Sequence, residues 1–200
     1  MTFMRKTIMA VAGLLFTGAA LAADAVTYKE FVEGNPKAKV TVIEYASLTC
    51  PHCARFFINS YPTLKKDYID KGKIQYIYRD FPTPPEQLSF AGALLARCAP
   101  GKNGMKVIEA IYKGQGEWYQ DPEKHFRQYA KDAGIDDAAF DACLQNKELQ
   151  EAMLATITKA ATELHISSTP SFLVNDTLVE GETWEPLRDA IDKALGVSKS

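Results

Sequence analysis

Two hundred residues with 46% hydrophobic content are enough for one globular unit with a sizeable core. Lys plus Arg total 23 and Asp plus Glu total 25, for a net charge of −2. A balance so close to neutral argues against nucleic-acid binding, which needs a basic face.

Arg5 and Lys6 precede an uncharged, mostly apolar run from Thr7 to Ala20, and Ala20-Leu21-Ala22 supplies small residues at signal-peptidase spacing. This is the pattern of a secretory signal over residues 1–22, with cleavage expected after Ala22. The apolar run is short for a membrane anchor, which takes about 20 residues. Residues 23–39 read as a lead-in with a Gly34-Asn35-Pro36 turn. Val40 to Ala46 (VTVIEYA) is a nearly continuous β-branched run, which predicts a strand buried on both faces. Cys53 to Asp70 carries Phe56, Phe57, Tyr61, Leu64 and Tyr68 at helical spacing, with Pro62 expected to kink it. Lys73 to Arg79 alternates as a second strand, so the unit is strand–helix–strand with a parallel pair.

Five helical patterns follow between residues 87 and 164. They are more than one crossover needs and read as a helical subdomain, residues 83–165, inserted into an α/β domain of residues 23–82 and 166–200. Ser171 to Val174 and Thr177 to Val179 predict a short hairpin around Asn175-Asp176. Trp184, Leu187, Ile191 and Leu195 form the apolar face of a C-terminal helix.

The four cysteines, at 50, 53, 98 and 143, change meaning behind a secretion signal. In an oxidising compartment such cysteines usually pair. Spacing singles out Cys50 with Cys53, which leaves Cys98 with Cys143. Cys50-Pro51-His52-Cys53 lies where the first strand gives way to helix. Disulfide exchange needs an attacking thiolate and a second thiol close enough to resolve the mixed disulfide. Unpaired N–H groups and the helix dipole stabilise a thiolate at Cys50, the expected nucleophile; Cys53 is the resolver. Pro51 occupies a position where a missing N–H costs little. His52 adds a donor or a positive charge that favours the thiolate. The competing readings of the motif are an inert disulfide and half of a zinc site. A zinc site would want a second Cys-x-x-Cys or a close Cys/His pair, and Cys98, Cys143, His125 and His165 offer neither. No metal or cofactor is expected.

Glu44 is the acid within the apolar strand, six positions before Cys50. It is either a buried carboxylate near the disulfide or a strand-end Glu that reaches solvent, and the residues alone leave both open. Thr169-Pro170 precedes the third strand; trans is the commoner state of an X–Pro bond. Cys98 and Cys143 form either a structural disulfide or a second redox pair, and neither has the context of the first motif.

Over nearly all of its length after the signal, the chain resembles the DsbA family of periplasmic thiol:disulfide oxidoreductases. These are α/β proteins with a thioredoxin fold and an inserted all-helical subdomain. The resemblance rests on VIEYASLTCPHC (Val42 to Cys53), on the insert length, and on SSTPSFLVND (Ser167 to Asp176). It implies that Cys50 and Cys53 are the redox-active disulfide, that Glu44 is the buried acid, and that Pro170 is a cis-proline facing them. Thr169 then borders the active site and the bound peptide. The Cys98–Cys143 pair looks like that of an alphaproteobacterial-type subgroup. Two positions depart from the best-known members. Leu48 and Thr49 stand where those have aromatics, and Thr169 often has a Val counterpart; both bear on the docking surface and the redox potential. The resemblance further implies a periplasmic monomer that oxidises reduced, unfolded secreted proteins and is reoxidised by a DsbB-like membrane quinone oxidoreductase. An isomerase or reductase of the same fold, a metal-handling thioredoxin-like protein and a chaperone-like peptide binder are the alternatives.

Overall fold

The computed structural model describes residues 28–179 and 183–197; the predicted signal and its cleavage after Ala22 lie outside the described residues. The strand run Val40–Ala46 is a central strand, here β2. It alternates as a pleated strand must. Val42 and Ala46 enter the larger core, while Ile43 and Tyr45 enter a smaller cluster on the other face with Ala160, Ile166 and Leu173. By the same parity Glu44 points to the larger core.

The strand β3 (Ile74–Asp80) lies parallel to β2, as the strand–helix–strand pattern requires. Between them run α1 (Pro51–Asn59), α2 (Tyr61–Leu64) and a π-helical turn, Lys65–Ile69. The single kinked helix expected here is thus broken in two. Pro62 sits in the first turn of α2, where no N–H is needed, rather than inside a continuous helix. On the other side of β2, β4 (Ser171–Val174) runs antiparallel and pairs in turn with β5 (Thr177–Leu178). Their turn places Asn175 at φ 47° and Asp176 at φ 64°, a conformation these two residue types tolerate.

One strand was not expected. Phe31–Gly34, within the predicted lead-in, forms β1 and pairs antiparallel with β3. Four residues at a sheet edge are too few to announce themselves by periodicity. The sheet order is β1-β3-β2-β4-β5.

Among the described residues, six helices rather than five lie between β3 and β4. They are α3 (Glu86–Cys98), α4 (Gly104–Lys113), α5 (Gln115–Trp118), α6 (Pro122–Asp132), α7 (Asp137–Leu144) and α8 (Lys147–Glu163). The additional one, α5, is a single turn. Helix α9 (Trp184–Leu195) buries Leu187 and Ile191 in the larger core. Arg97 of α3 fixes the helices to the sheet: its Nε donates to Asp80 Oδ2 at 3.0 Å, and its guanidinium stands 3.9 Å from the Phe31 ring centroid. Cys98 and Cys143 are joined in a disulfide that links the end of α3 to α7. The fold is a thioredoxin fold with a helical insertion.

Candidate active site at the start of helix α1

Cys50 is the N-cap of α1, with extended backbone, and Pro51 opens the helix. The N-cap side chain is the one that meets the unpaired N–H groups of the first turn. Here that acceptor is sulfur: the Cys53 N–H points at Cys50 Sγ at 3.4 Å. Both cysteines are buried and stand as a dithiol. Their environments push them apart. The Cys53 thiol donates to the Cys50 sulfur and lowers its pKa most; burial opposes this, and hydrogen bonds from the Thr169 side chain and from the backbone N–H groups of Cys53 and His52 lower it further. The balance brings Cys50 down to about 5. Cys53 is pushed well above the ordinary thiol range, first by burial and then by the thiolate beside it. A split of this kind assigns different chemical roles to two like groups. His52 is exposed, and its backbone N–H is among the groups that lower Cys50.

The Thr169–Pro170 peptide bond is cis. The Thr169 carbonyl oxygen lies 3.2 Å from Cys50 Sγ, which donates to it as a thiol. Thr169 and Pro170 are both buried, and Thr169 is 119 residues from Cys50 in the chain. Pro84–Pro85 is also cis, in the loop that leads into α3.

Glu44 is fully buried. Of the two readings of this residue, the strand-end Glu reaching solvent is therefore excluded. Burial raises its carboxyl to about 8; the Tyr76 hydroxyl, which donates to Oε2, holds it down, and the Cys50 charge adds to the rise. Glu44 Oε1 has no hydrogen-bond partner among the described residues. The carboxyl also raises the Cys53 thiol through its charge. Glu44, Cys50 and Cys53 are therefore electrostatically one site.

Several contributors to this site carried no sequence signal. The loop Ser47–Thr49 is held by a buried hydroxyl network: Ser47 Oγ lies 2.9 Å from both Thr49 Oγ1 and Ser89 Oγ. The Leu48 N–H donates to Ser89 Oγ at 3.0 Å, and Thr49 Oγ1 donates to the Thr83 carbonyl at 2.8 Å. The Ser47 N–H in turn reaches Cys53 Sγ at 3.5 Å. From the helical insert, Gln115 Nε2 donates to the carbonyls of Leu48 (2.8 Å) and Cys50 (3.1 Å), and the Tyr119 hydroxyl donates to that of Thr49 (3.0 Å). Leu48 and Thr49, the departures from the best-known pattern, are buried and so are not themselves the surface around Cys50. Cys98 and Cys143 are bonded to one another and are not brought into this cluster.

A family model described as Thioredoxin matches residues 27–193. A relative from Rickettsia typhi, named as a protein-disulfide oxidoreductase, is 34% identical over 179 residues, 85% of this chain. This chain spans 65% of that relative's length. Among solved structures, alpha-DsbA1 of Wolbachia pipientis superposes with a TM-score of 0.76 at 28% identity, over 84% of this chain and 91% of that one. A protein-disulfide isomerase from Novosphingobium aromaticivorans superposes with a TM-score of 0.72 at 26% identity, over 83% of this chain and 97% of its own.

Proposed function

The chain belongs to the thioredoxin family, and on that premise we propose that it is a DsbA-like thiol:disulfide oxidoreductase acting through Cys50 and Cys53. The observation that carries this reading is the N-cap geometry of Cys50, where the Cys53 N–H points at the sulfur and favours its thiolate. A stabilised thiolate favours the reduced protein, and a disulfide that gains by being reduced is a strong oxidant.

The reaction follows from the two environments. A client thiolate attacks Cys50 Sγ of the oxidised pair, and the Cys53 sulfur leaves. Its high pKa makes it take up a proton, and we assign the buried Glu44 carboxyl, raised to about 8, as the group that supplies one. A second client thiolate then attacks the client sulfur of the mixed disulfide. Cys50 leaves as a thiolate, and a low-pKa thiol leaves fast. The client gains a disulfide and this protein is left as the dithiol. The Thr169 carbonyl borders the reacting sulfur, and we assign the Thr169–Pro170 segment to the face that an extended client segment meets.

The rest of the reading is coherent with this chemistry. Residues 1–22 export the protein to the periplasm, residues 23–82 and 166–200 form the redox domain, and residues 83–165 form the insert. The protein works as a monomer on reduced, unfolded secreted proteins, and a DsbB-like membrane quinone oxidoreductase reoxidises it. The Cys98–Cys143 disulfide is structural. The test is oxidative refolding of a reduced client by the oxidised protein: wild type introduces disulfides, and Cys50→Ser does not. An unimpaired Cys50→Ser protein refutes the proposal. Isomerase activity is the second reading, favoured by the name of the Novosphingobium neighbour. Efficient rescue of a scrambled client, without net oxidation, selects it.

A further inference from the structure

Tyr119 has properties that its hydrogen bond to the Thr49 carbonyl does not account for. It follows α5, far from the redox motif in sequence, yet its hydroxyl is tied to the residue next to Cys50. The residue is 42% exposed and is the aromatic among the exposed large hydrophobic residues described. It is also rigid. It stacks on Trp118 with ring centroids 4.0 Å apart and planes 25° from parallel. Trp118 is fully buried and anchored through Nε1, which donates to the Ile111 carbonyl at 2.8 Å. The ring is thus supported at its side by tryptophan and pinned at its tip by the active-site loop. Burial and the Cys50 charge together raise its hydroxyl pKa, as expected of a group beside that sulfur.

An exposed aromatic that is already immobilised loses little entropy when it is covered, so it is a favourable contact for a partner. Any client must bring its cysteine to Cys50, and its neighbouring side chains then come within reach of Tyr119. We propose that Tyr119 is a client-binding subsite that takes an apolar or aromatic side chain adjacent to the reacting client cysteine. The occupant is an extended, reduced peptide segment, which deepens the oxidoreductase reading and rests on it. Gln115, which holds the carbonyls of Leu48 and Cys50 from the same turn, keeps the ring and the sulfur in fixed relation.

The test uses the full-length oxidised protein and two reduced peptides that differ only in the residue beside their cysteine, Phe or Gly. The readout is the ratio of their second-order rate constants, with glutathione as a small-thiol reference. Wild type is expected to favour the Phe peptide by about 2- to 10-fold, the range that one aromatic pair supports. Tyr119→Ala brings the ratio to about one. Tyr119→Phe, which keeps the ring and loses the tie to Thr49, retains the preference. A wild-type ratio of about one, or a Tyr119→Ala protein that keeps the wild-type ratio, overturns the subsite. A wild-type disulfide that does not react with glutathione overturns the oxidoreductase reading, and the subsite with it.

Discussion

The split between Cys50 and Cys53 makes reduced-state stability depend on pH in a defined direction. Cys50 drops from an ordinary 9.0 to about 5. A depressed pKa contributes stability that is complete above the unfolded value and lost as pH falls through the folded one. For Cys50 the contribution therefore grows from zero below pH 5 toward its full size above pH 9. Near pH 7 the linkage is about 2.7 kcal/mol before screening. Cys50 keeps 8% exposure, and screening reduces this to about 1–2 kcal/mol. That is about 20–40 mV of oxidising shift in the redox couple. Glu44, with its carboxyl raised from 4.5 to about 8, is ionised in the unfolded chain but not in the fold over this window, so it lowers stability as pH rises in both redox forms, and the difference between reduced and oxidised melts removes that common part. The assay is paired denaturant melts of the reduced and oxidised proteins from about pH 4 to about pH 7, with the thiolate followed by its ultraviolet absorbance. The reduced form should gain on the oxidised form with a thiolate midpoint near 5. A midpoint close to 9, or a stability difference that does not change with pH, refutes the reasoning.

Tyr76 donates to the charged form of Glu44 and so holds its pKa down against burial. Tyr76→Phe should move the Glu44 titration to higher pH, read by carboxyl infrared or NMR titration; an unmoved midpoint removes Tyr76 from the site. The Cys98–Cys143 disulfide closes a loop with a sequence separation of 45. A Cys98→Ala/Cys143→Ala protein should lose about 4 kcal/mol on a chain-entropy basis, seen as a lower denaturation midpoint with client oxidation retained. Unchanged stability would sink the structural role.

What the sequence disclosed and what it withheld divide by distance along the chain. The VTVIEYA strand, the CPHC junction and the C-terminal helix are legible because each signal lies within a dozen residues. The burial of Glu44 is not legible, since the residues alone allowed a strand end in solvent; alternation along β2 to its end is what turns it inward. The strand β1 and helix α5 are illegible because four residues carry no period. The hydroxyl network is illegible for a different reason. Ser47 and Ser89 are 42 residues apart, and a lone serine in a helix pattern says nothing of where its hydroxyl points. Gln115 and Tyr119 lie 65 to 70 residues from the carbonyls they hold. Tertiary packing alone makes them neighbours of Cys50. The cis state of Thr169–Pro170 is likewise not written in the dipeptide; resemblance, not local chemistry, pointed to it.

The central claim is that the geometry around Cys50 makes the pair an oxidant. The most direct measurement is the equilibrium of the Cys50–Cys53 pair against a glutathione redox buffer near neutral pH. The account predicts a strongly oxidising potential, with the dithiol form dominating even in largely oxidised glutathione. A reducing potential, comparable to that of thioredoxin at about −270 mV, would contradict it.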